Sequence, residues 1–436
     1  MRYICLLILF FFSGTAVIAR EDIDTSRKPS DNKNTVDKTG EAPPLLGLSW
    51  LIREAMEHNP EIIAAQRRFG ASKEVISQAK SLEDPMITVG TFNTNFPLNV
   101  GGQTDLYRRR YSVSQKIPFP GKLRLRGEVA AEESRMSEQE LRAKIQEIIA
   151  LVKSTFYEFY YIDRAIEITE ENRELLSKFA KIAEIKYITG KTTQRDVLAA
   201  QVELSTLSNN LIVLNEQRES VIALINTLID RPPESTIGSP GTFEKNTLDL
   251  TMTDLERLAL KNRPELKRFD YAVRRNEAKV KLSKRDYYYT DFEPMVEYMQ
   301  MVGMPNMWET AVTINIPWIW SKNRSRVREA KEELSAARSD YRFINNKTLF
   351  EVKDFLVKIR STESTVNLYE KSIIPYARQS LESARIGYEA DRVDFLTLID
   401  SVRVLLDSTL LYYRALADFE QYLANLERAV GITSNL

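Results

Sequence analysis

The sequence predicts a mainly α-helical protein with a small β part, made of two similar halves. Glycine (15) and proline (16) are scarce among the 436 residues and 28% of residues are charged, which is typical of long solvated helices. Apolar residues recur at a helical period over long stretches. The same succession of helix, two strands and two long helices occurs twice, about 200 residues apart. Together these observations indicate one elongated fold with an internal repeat.

The N-terminus has the features of a signal peptide, predicted at residues 1–19. A basic start at Arg2 is followed by an apolar run at residues 4–12 and by small or permitted residues up to Ala19. This run is shorter than the roughly 20 residues that a membrane-spanning helix needs, and we expect no such helix later in the chain. Cys5, the only cysteine, lies within the signal peptide. Residues 20–44 are polar and are expected to form a flexible N-terminal segment.

The first repeat is predicted to span residues 45–231. After an initial helix, its predicted elements are strands at 86–93 and 110–117 and long helices at 121–188 and 193–230. At 1.5 Å per residue the first long helix would be roughly 100 Å long, which exceeds an ordinary globular domain. A filamentous coiled coil is the alternative that the helices alone leave open.

A linker at 232–250 leads to the second repeat, predicted at 251–432. After an initial helix, the predicted elements are strands at 292–301 and 308–316 and long helices at 321–387 and 393–430. Pro375 is expected to kink the first of these helices. Apolar residues of the last helix recur every seven positions, as in helices that supercoil around a neighbour: Leu398, Leu405, Tyr412, Phe419 and Leu426.

The four strands favour a membrane barrel over a filament. They are about as long as a tilted strand must be to cross a bilayer, and apolar and polar residues alternate along them, with Val113 and Ile117 opposing Ser112 and Ser114. Four strands cannot close a barrel, and an open edge in lipid leaves backbone groups unpaired. Subunits must therefore share one barrel, for which the sequence permits two, three or four copies. Two soluble hairpins capping a helical bundle are the alternative.

Three segments carry a resemblance to a known family. Residues 114–122 (SQKIPFPGK) form a strand-to-helix junction, and residues 187–190 and 388–396 resemble helix–turn–helix tips. All three resemble the TolC family of outer-membrane efflux proteins, with the heavy-metal and copper/silver RND branch most similar. The resemblance covers residues 48 to 432, nearly all of the mature chain.

The resemblance implies a channel-tunnel fold. Its features would be a homotrimer in outer-membrane lipid, a 12-stranded barrel with four strands from each subunit, and a long periplasmic α-barrel. The implied partners are a periplasmic adaptor (membrane fusion protein) and an inner-membrane pump of the RND type.

The resemblance also assigns gate roles at the tips, which are marked by Tyr187, Gly190 and Tyr388. Asp196 occupies the position of an aspartate that helps to hold the closed state. Asp400 occupies that of an aspartate facing the lumen near the constriction, where symmetric carboxylates would attract cations. The alternative is that both are solvated helix residues or caps.

The tips depart from the family pattern at three positions. Asp391 replaces the usual glycine, and Thr397 replaces a second lumenal acidic residue. Val393 stands where the family has a lock arginine, so Arg392 is the candidate substitute. The two helix–turn–helix tips are therefore still predicted. The contacts that would hold the gate closed are not specified by the sequence.

The sequence contains no motif of an enzyme or a cofactor site. It has no Walker loop, nucleophile elbow or Rossmann glycine pattern. His58 is the single histidine and is interpreted as a surface residue, so we expect no metal site built from His and Cys. Acidic and basic residues balance at 61 each, so no bulk charge points to nucleic acid.

Methionines are concentrated in the second hairpin. Their thioethers are soft ligands suited to Cu(I) or Ag(I), and the candidate contacts for such ions are Met299, Met301, Met304 and Met307, with Met295 nearby. Methionine is also a flexible apolar filler. From the sequence alone we prefer the filler interpretation.

The predicted function is that of an outer-membrane channel subunit in the tripartite efflux system of a Gram-negative bacterium, with a large periplasmic portion. It would be a passive duct and not an enzyme, with metal ions or small toxic compounds as candidate cargo. An outer-membrane duct of a type I protein secretion system is the alternative. A periplasmic adaptor should carry lipoyl-like and β-barrel domains, which are missing, and a soluble scaffold would not need strands of membrane length.

Overall fold

The computed structural model describes residues 46–93, 107–241, 243, 245–301, 305–316 and 320–432. These residues belong to one compact unit, Pro43–Leu436. The predicted signal peptide and the N-terminal segment lie outside the described residues.

Each repeat begins with two consecutive helices that are separated at a residue before proline. In the first repeat these are α1 (Leu48–His58) and α2 (Pro60–Lys80). Asn59 between them caps α2 by accepting hydrogen bonds from the backbone N–H groups of Glu61 and Ile62, and proline suits the first position of the new helix. The second repeat has the same arrangement, with α5 (Met252–Asn262) and α6 (Pro264–Tyr288) separated at Arg263.

The long helices form two hairpins. The first consists of α3 (Lys122–Ile188), which has 67 residues, and α4 (Gln194–Leu228). The second consists of α7 (Trp320–Leu368), a π-helical turn at Tyr369–Ile373, α8 (Ile374–Glu389) and α9 (Phe395–Val430). The helix predicted at 321–387, with a kink expected at Pro375, is thus interrupted by a π-helical turn at Tyr369–Ile373. Pro375 has no N–H to donate and its ring clashes with an ordinary preceding turn, and the wider π turn accommodates both.

The four strands form one antiparallel sheet in chain order. They are β1 (Met86–Asn93), β2 (Tyr107–Ser114), β3 (Phe292–Met301) and β4 (Met307–Ile314). The predicted β2 at 110–117 was placed too late, because the ladder with β1 ends at the pair Met86–Ser114. Ile117 still exchanges two backbone hydrogen bonds with Phe292, at 2.7 and 3.0 Å. Strand β4 likewise ends at Ile314 rather than at 316.

The sheet continues a layer of four helices. Helix α3 packs between α2 and α6, and α6 packs against α7, so these helices lie side by side in the order α2, α3, α6, α7. The strands follow the same side-by-side order as the helices to which they are connected: α2 leads into β1, β2 into α3, α6 into β3, and β4 into α7. The chain thus forms a strip with one side made of β1 and α2 and the other of β4 and α7.

At the end away from the sheet, the two hairpins pack together through α3, α4, α8 and α9. Their shared apolar core includes buried residues from all four helices, such as Leu176, Leu207, Leu381 and Leu398. Further apolar clusters lie along the body, where α1 packs on the first hairpin and α5 on the second. The core is therefore a series of clusters strung along the helices.

Helix α4 carries an exposed apolar face that the sequence analysis did not anticipate. The expectation that no later helix would be long and apolar enough to cross a membrane was wrong by length and composition, because α4 is one such helix among the described residues. Its mean hydropathy is 1.3 over its most apolar window, of which 22% is buried. Leu198, Val202 and Ile212 are each exposed on it. Because α4 also packs along α3, this face is typical of a surface that contacts another protein segment.

Candidate functional site

The first tip is the tight turn between α3 and α4. Gly190 adopts a φ of +72°, and its N–H donates to the carbonyl of Tyr187 at 3.0 Å. The N–H of Lys191 donates to the carbonyl of Lys186 at 2.8 Å, which completes a Schellman motif. Asp196 lies in the first turn of α4, where its carboxylate accepts a hydrogen bond from Thr192.

The second tip has the same backbone geometry with aspartate in place of glycine. Asp391 adopts a φ of +58°, and its N–H donates to the carbonyl of Tyr388 at 3.2 Å. The N–H of Arg392 donates to the carbonyl of Gly387 at 2.8 Å, which completes a second Schellman motif. The departure from glycine therefore leaves the turn intact.

The carboxylate of Asp391 joins the two tips. Its Oδ1 lies 2.6 Å from the Nζ of Lys186, and its Oδ2 lies 3.5 Å from the Nζ of Lys191. The hydrogen bond from Lys186 holds the pKa of Asp391 below its usual value. Lys186 also donates to the carbonyl of Tyr388 and lies 4.1 Å from the centre of its ring. We call Lys186, Lys191 and Asp391 the tip clasp.

Tyr388 packs against the tip clasp. It is 4% exposed, and its ring centre lies 5.3 Å from that of Phe395. Burial raises its pKa to about 12, and the negative charges of Asp196 and Asp391 add to this effect. The phenol is therefore neutral at physiological pH, and Asp196 lies near enough to influence it.

The other tip positions considered in the sequence analysis have different surroundings. Asp400 and Arg392 are exposed, and Arg392 takes part in none of the ion pairs found among the described residues. Val393 packs against Gly387, where an added Cβ would lie 2.6 Å from its Cγ2. Thr397 donates its N–H to Asp394 at 3.2 Å and so completes the cap of α9. The departures at 393 and 397 thus have packing and capping roles.

Sequence reasoning missed two residues that tie the hairpins together. Arg403 of α9 forms an ion pair with Glu203 of α4, whose side chain is 8% exposed. The pKa of Arg403 is raised by its hydrogen bond with Glu203, and the charge of Asp400 contributes. Glu203 falls among apolar residues of α4, and a buried carboxylate needs a partner, which is the signal that could have found this pair.

At the other end of the subunit, Lys122 fastens the strand-to-helix junction. Its side chain is 4% exposed, and its Nζ lies 3.1 Å from Asp286 and 2.8 Å from Asp291. It also donates to the carbonyl of Tyr289 at 2.8 Å. Asp291 in turn accepts the N–H of Phe119 at 3.1 Å. The last residue of the segment 114–122 therefore links the junctions of both repeats.

The two faces of the sheet differ in polarity and in burial. One face carries apolar side chains that are widely exposed, such as Ile87 (73%), Val89 (68%) and Val312 (61%). The other face carries Ser112 and Glu297, which are 8% and 5% exposed. Among the described residues no helix packs extensively on the sheet, so these polar side chains are covered by neighbours of their own face. The crowding of the paired residues Ser112 and Glu297 at the two central strands indicates that the sheet curves toward its polar face, which we call the concave face.

Met295, Met299 and Met307 share the concave, polar face. Met295 is paired with Ser114 and Ala311, one level from Glu297. Met299 is paired with Arg110 on one side and with Met307 on the other. Met301 holds the next register position on this face, opposite Arg108. Met304 lies outside the described residues.

The described residues contain no group of three or more His, Cys, Asp or Glu side chains placed to hold a metal ion. The His58 side chain is 54% exposed and lies 3.3 Å from Glu54. The position of His58 therefore agrees with a surface role.

The first half of the chain matches a known family. Residues 51–228 match the profile of the outer membrane efflux proteins. Over its whole length the chain is 21% identical to the cobalt-zinc-cadmium resistance protein CzcC of Cupriavidus metallidurans, with 98% of each chain covered. The resemblance to outer-membrane efflux proteins that the sequence predicted is confirmed by these matches.

Solved structures show the same fold. The outer-membrane channel OprN has a TM-score of 0.79 at 18% identity, with 88% of this chain and 89% of that chain covered. CusC has a TM-score of 0.78 at 15% identity, with 89% and 93% covered. VceC of Vibrio cholerae has a TM-score of 0.74 at 16% identity, with 88% and 96% covered. The predicted channel-tunnel fold is confirmed.

Proposed function

We propose that this chain, which resembles outer membrane efflux proteins in residues 51–228 and shares the channel-tunnel fold, is one subunit of a passive export duct. The observation that carries the proposal is the sheet with an exposed apolar face and a concave polar face. Lipid would contact the first face and water the second, as in a membrane barrel. The duct performs no chemistry of its own, so the chain is not an enzyme.

The open sides of the subunit support a ring of copies. Within the sheet, β1 and β4 each have only one strand neighbour, and α2 and α7 are the outer helices of the adjoining layer. A free strand edge in hydrocarbon leaves backbone groups unpaired at several kcal/mol each. Pairing β4 of one copy with β1 of the next removes every edge. Three copies would give a 12-stranded barrel above a helical tunnel, and the apolar face of α4 would be covered at the same time.

The ring would stand in the outer membrane of a Gram-negative bacterium. Its strands would lie in outer-membrane lipid and its helices in the periplasm, where the tips would dock with a periplasmic adaptor and an inner-membrane pump of the RND type. Similarity to CzcC, a cobalt-zinc-cadmium resistance protein, supports metal ions as cargo, beside small toxic compounds. A duct for a type I protein secretion system is the competing assignment.

The test is assembly and conduction by the purified full-length protein. In mild detergent it should migrate as a trimer that dissociates only on heating, and in planar bilayers it should conduct K⁺. A water-soluble monomer that does not insert into lipid contradicts the proposal. The heated, dissociated sample is the matched control for conductance.

We also propose that the tips form the gate of the duct. The residues concerned are those predicted from the sequence, Tyr187, Gly190, Asp196, Tyr388, Asp391, Arg392 and Asp400. The tip clasp supports this assignment because it joins the first hairpin to the second through two ion pairs at the exposed carboxylate of Asp391. Such a contact can be released by a partner at a small energetic cost.

Replacing Asp400 with alanine tests the gate. Three carboxylates around a constriction would favour cations, so Asp400→Ala should lower the preference for K⁺ over Cl⁻ and weaken block by multivalent cations. Asp407→Ala, two turns further along the same exposed side of α9, is the control and should change both less. Reversal potentials in a KCl gradient measure the preference. Equal reversal potentials in Asp400→Ala and wild type remove Asp400 from the gate.

A further inference from the structure

Thioether side chains lie on the concave face of the sheet, toward the end that is distant from the helices. All four helices of the layer join the strands at the opposite end, and the hairpin connections β1–β2 and β3–β4 close this one. Met299 lies two residues before the end of β3, and Met307 is the first residue of β4. In the proposed duct this is the exit of the barrel.

Met299 and Met307 are direct partners across β3 and β4. Side chains in this relation have Cβ atoms about 4.5–5.5 Å apart, so two flexible thioethers can turn toward one ion between them. Met307 is 50% exposed, and Met299 is half-buried. The pair is therefore open to the concave side.

The surroundings argue against methionine acting only as apolar filler. A filler side chain belongs in a core or on the lipid-facing side of a strand. These two instead share a face with Ser112, Arg110 and Glu297, while the opposite face carries valine and isoleucine. An apolar side chain on the polar face of a duct wall needs a reason beyond packing.

Carboxylates lie one level deeper on the same face. Glu297 and Glu309 are partners across β3 and β4, two positions from the methionine pair on each strand. Glu297 is 3.7 Å from Arg110, whereas Glu309 is exposed. Because Arg110 offsets the charge of Glu297, it is the exposed carboxylate of Glu309 that a cation in the barrel would pass before it reached the thioethers.

We propose that Met299 and Met307 form a contact site for soft monovalent cations, Cu(I) or Ag(I), on the inner wall of the barrel. Met301 holds the next position on the same face, and Met295 lies about 13 Å deeper, at roughly 3.3 Å per residue. Neutral thioethers favour soft ions over Zn(II) or K⁺. Because a two-sulfur site binds weakly, the ion can also leave, as conduction requires. This inference rests on the proposed duct function.

The test uses the full-length trimer and Ag(I), supplied as silver nitrate in chloride-free buffer. Ag(I) binding is measured by equilibrium dialysis, and K⁺ currents are recorded in planar bilayers with and without Ag(I). The variant is Met299→Leu with Met307→Leu, which keeps the side-chain volume and removes both sulfurs. Met56→Leu is the control, since Met56 is an exposed methionine on α1, away from the sheet.

We expect the double variant to bind Ag(I) at least about tenfold more weakly, which is about 1.4 kcal/mol. Block of K⁺ current by Ag(I) should weaken to the same degree, while K⁺ conductance without Ag(I) and binding of Zn(II) stay unchanged. Met56→Leu should behave as wild type. Undiminished Ag(I) binding and block in the double variant overturn this inference alone, because K⁺ still passes. A wild-type protein that carries no K⁺ current overturns the duct itself.

Discussion

Asp391 occupies a backbone conformation that side chains rarely adopt. A non-glycine residue in the left-handed region costs about 1–3 kcal/mol, and the helix end would form equally well with glycine. The ion pair with Lys186, at 2.6 Å, gives a reason for aspartate, because glycine could not connect the two tips. The strain is thus coupled to a contact between hairpins.

Lys186→Met should loosen the tips. Methionine retains an apolar stem against Tyr388 but cannot pair with Asp391, so we expect longer or more frequent openings in single-channel records at neutral pH. Lys191→Met should have a smaller effect, since its Nζ is more distant from Asp391, at 3.5 Å, and its side chain is 60% exposed. If both variants open as rarely as wild type, the clasp has no part in closure.

The clasp should also depend on pH. The pKa of Asp391 is lowered from 3.8, so the pair with Lys186 is complete above that value and is lost as the pH falls through the lowered pKa. Wild-type channels in strong acid should therefore open more often and approach the behaviour of Lys186→Met. The variant should show less of this increase, and records at neutral pH and below pH 3.8 in the same bilayer provide the comparison.

At the scale of elements, the change from strand to helix depends on a buried ion-pair network. Lys122 contacts residues that follow α6, so the first turn of α3 is fixed by the other repeat. Gly121, with a φ of +90°, precedes it, and an added Cβ there would lie 3.0 Å from the guanidinium carbon of Arg285. The sheet and the helix layer are thereby held at one angle.

Lys122→Met should destabilise the subunit by about 1–3 kcal/mol, because it leaves the partly buried carboxylates of Asp286 and Asp291 close together without their cation. Urea titration of the trimer, followed by circular dichroism, measures the loss. Lys116→Met is the control, because Lys116 is 42% exposed and lies 3.4 Å from the exposed Glu83. A midpoint equal to that of wild type would show that the network contributes little.

The sequence predicted the elements better than their ends. The heptad spacing in α9 and the lack of proline in α3 are local signals, and both helices lie close to the predicted ranges. The start of β2 at Tyr107 depends on its pairing with Asn93, and the π turn before Pro375 depends on how the chain accommodates that ring. Neither the start of β2 nor the π turn can be predicted from one segment of the sequence alone.

The tip positions were predicted from the resemblance, but their contacts were not. Lys186 and Asp391 are 205 residues apart, and only the packing of the hairpins brings them together. Lys122 was part of the quoted segment 114–122, yet its partners belong to the other repeat. Contacts between repeats depend on the three-dimensional arrangement, which residue patterns along one chain do not specify.

At the scale of the whole molecule, the strip has two different sides, β1 with α2 and β4 with α7. Neighbouring copies would therefore meet head to tail, and rotation must close the ring, since an unclosed series would grow into a filament. The shared order of strands and helices lets one rotation serve both layers. In the proposed duct, the barrel in lipid and the helical tunnel in water would thus close together.

This asymmetry has a genetic consequence. A copy that is altered on one side only can still join a neighbour through its intact side. The ring that contains it then cannot close at the altered side. With equal amounts of altered and normal copies, only about one in eight rings of three would be wholly normal. Single-edge alleles should therefore be dominant, whereas alleles that prevent folding, and so never reach the ring, should be recessive.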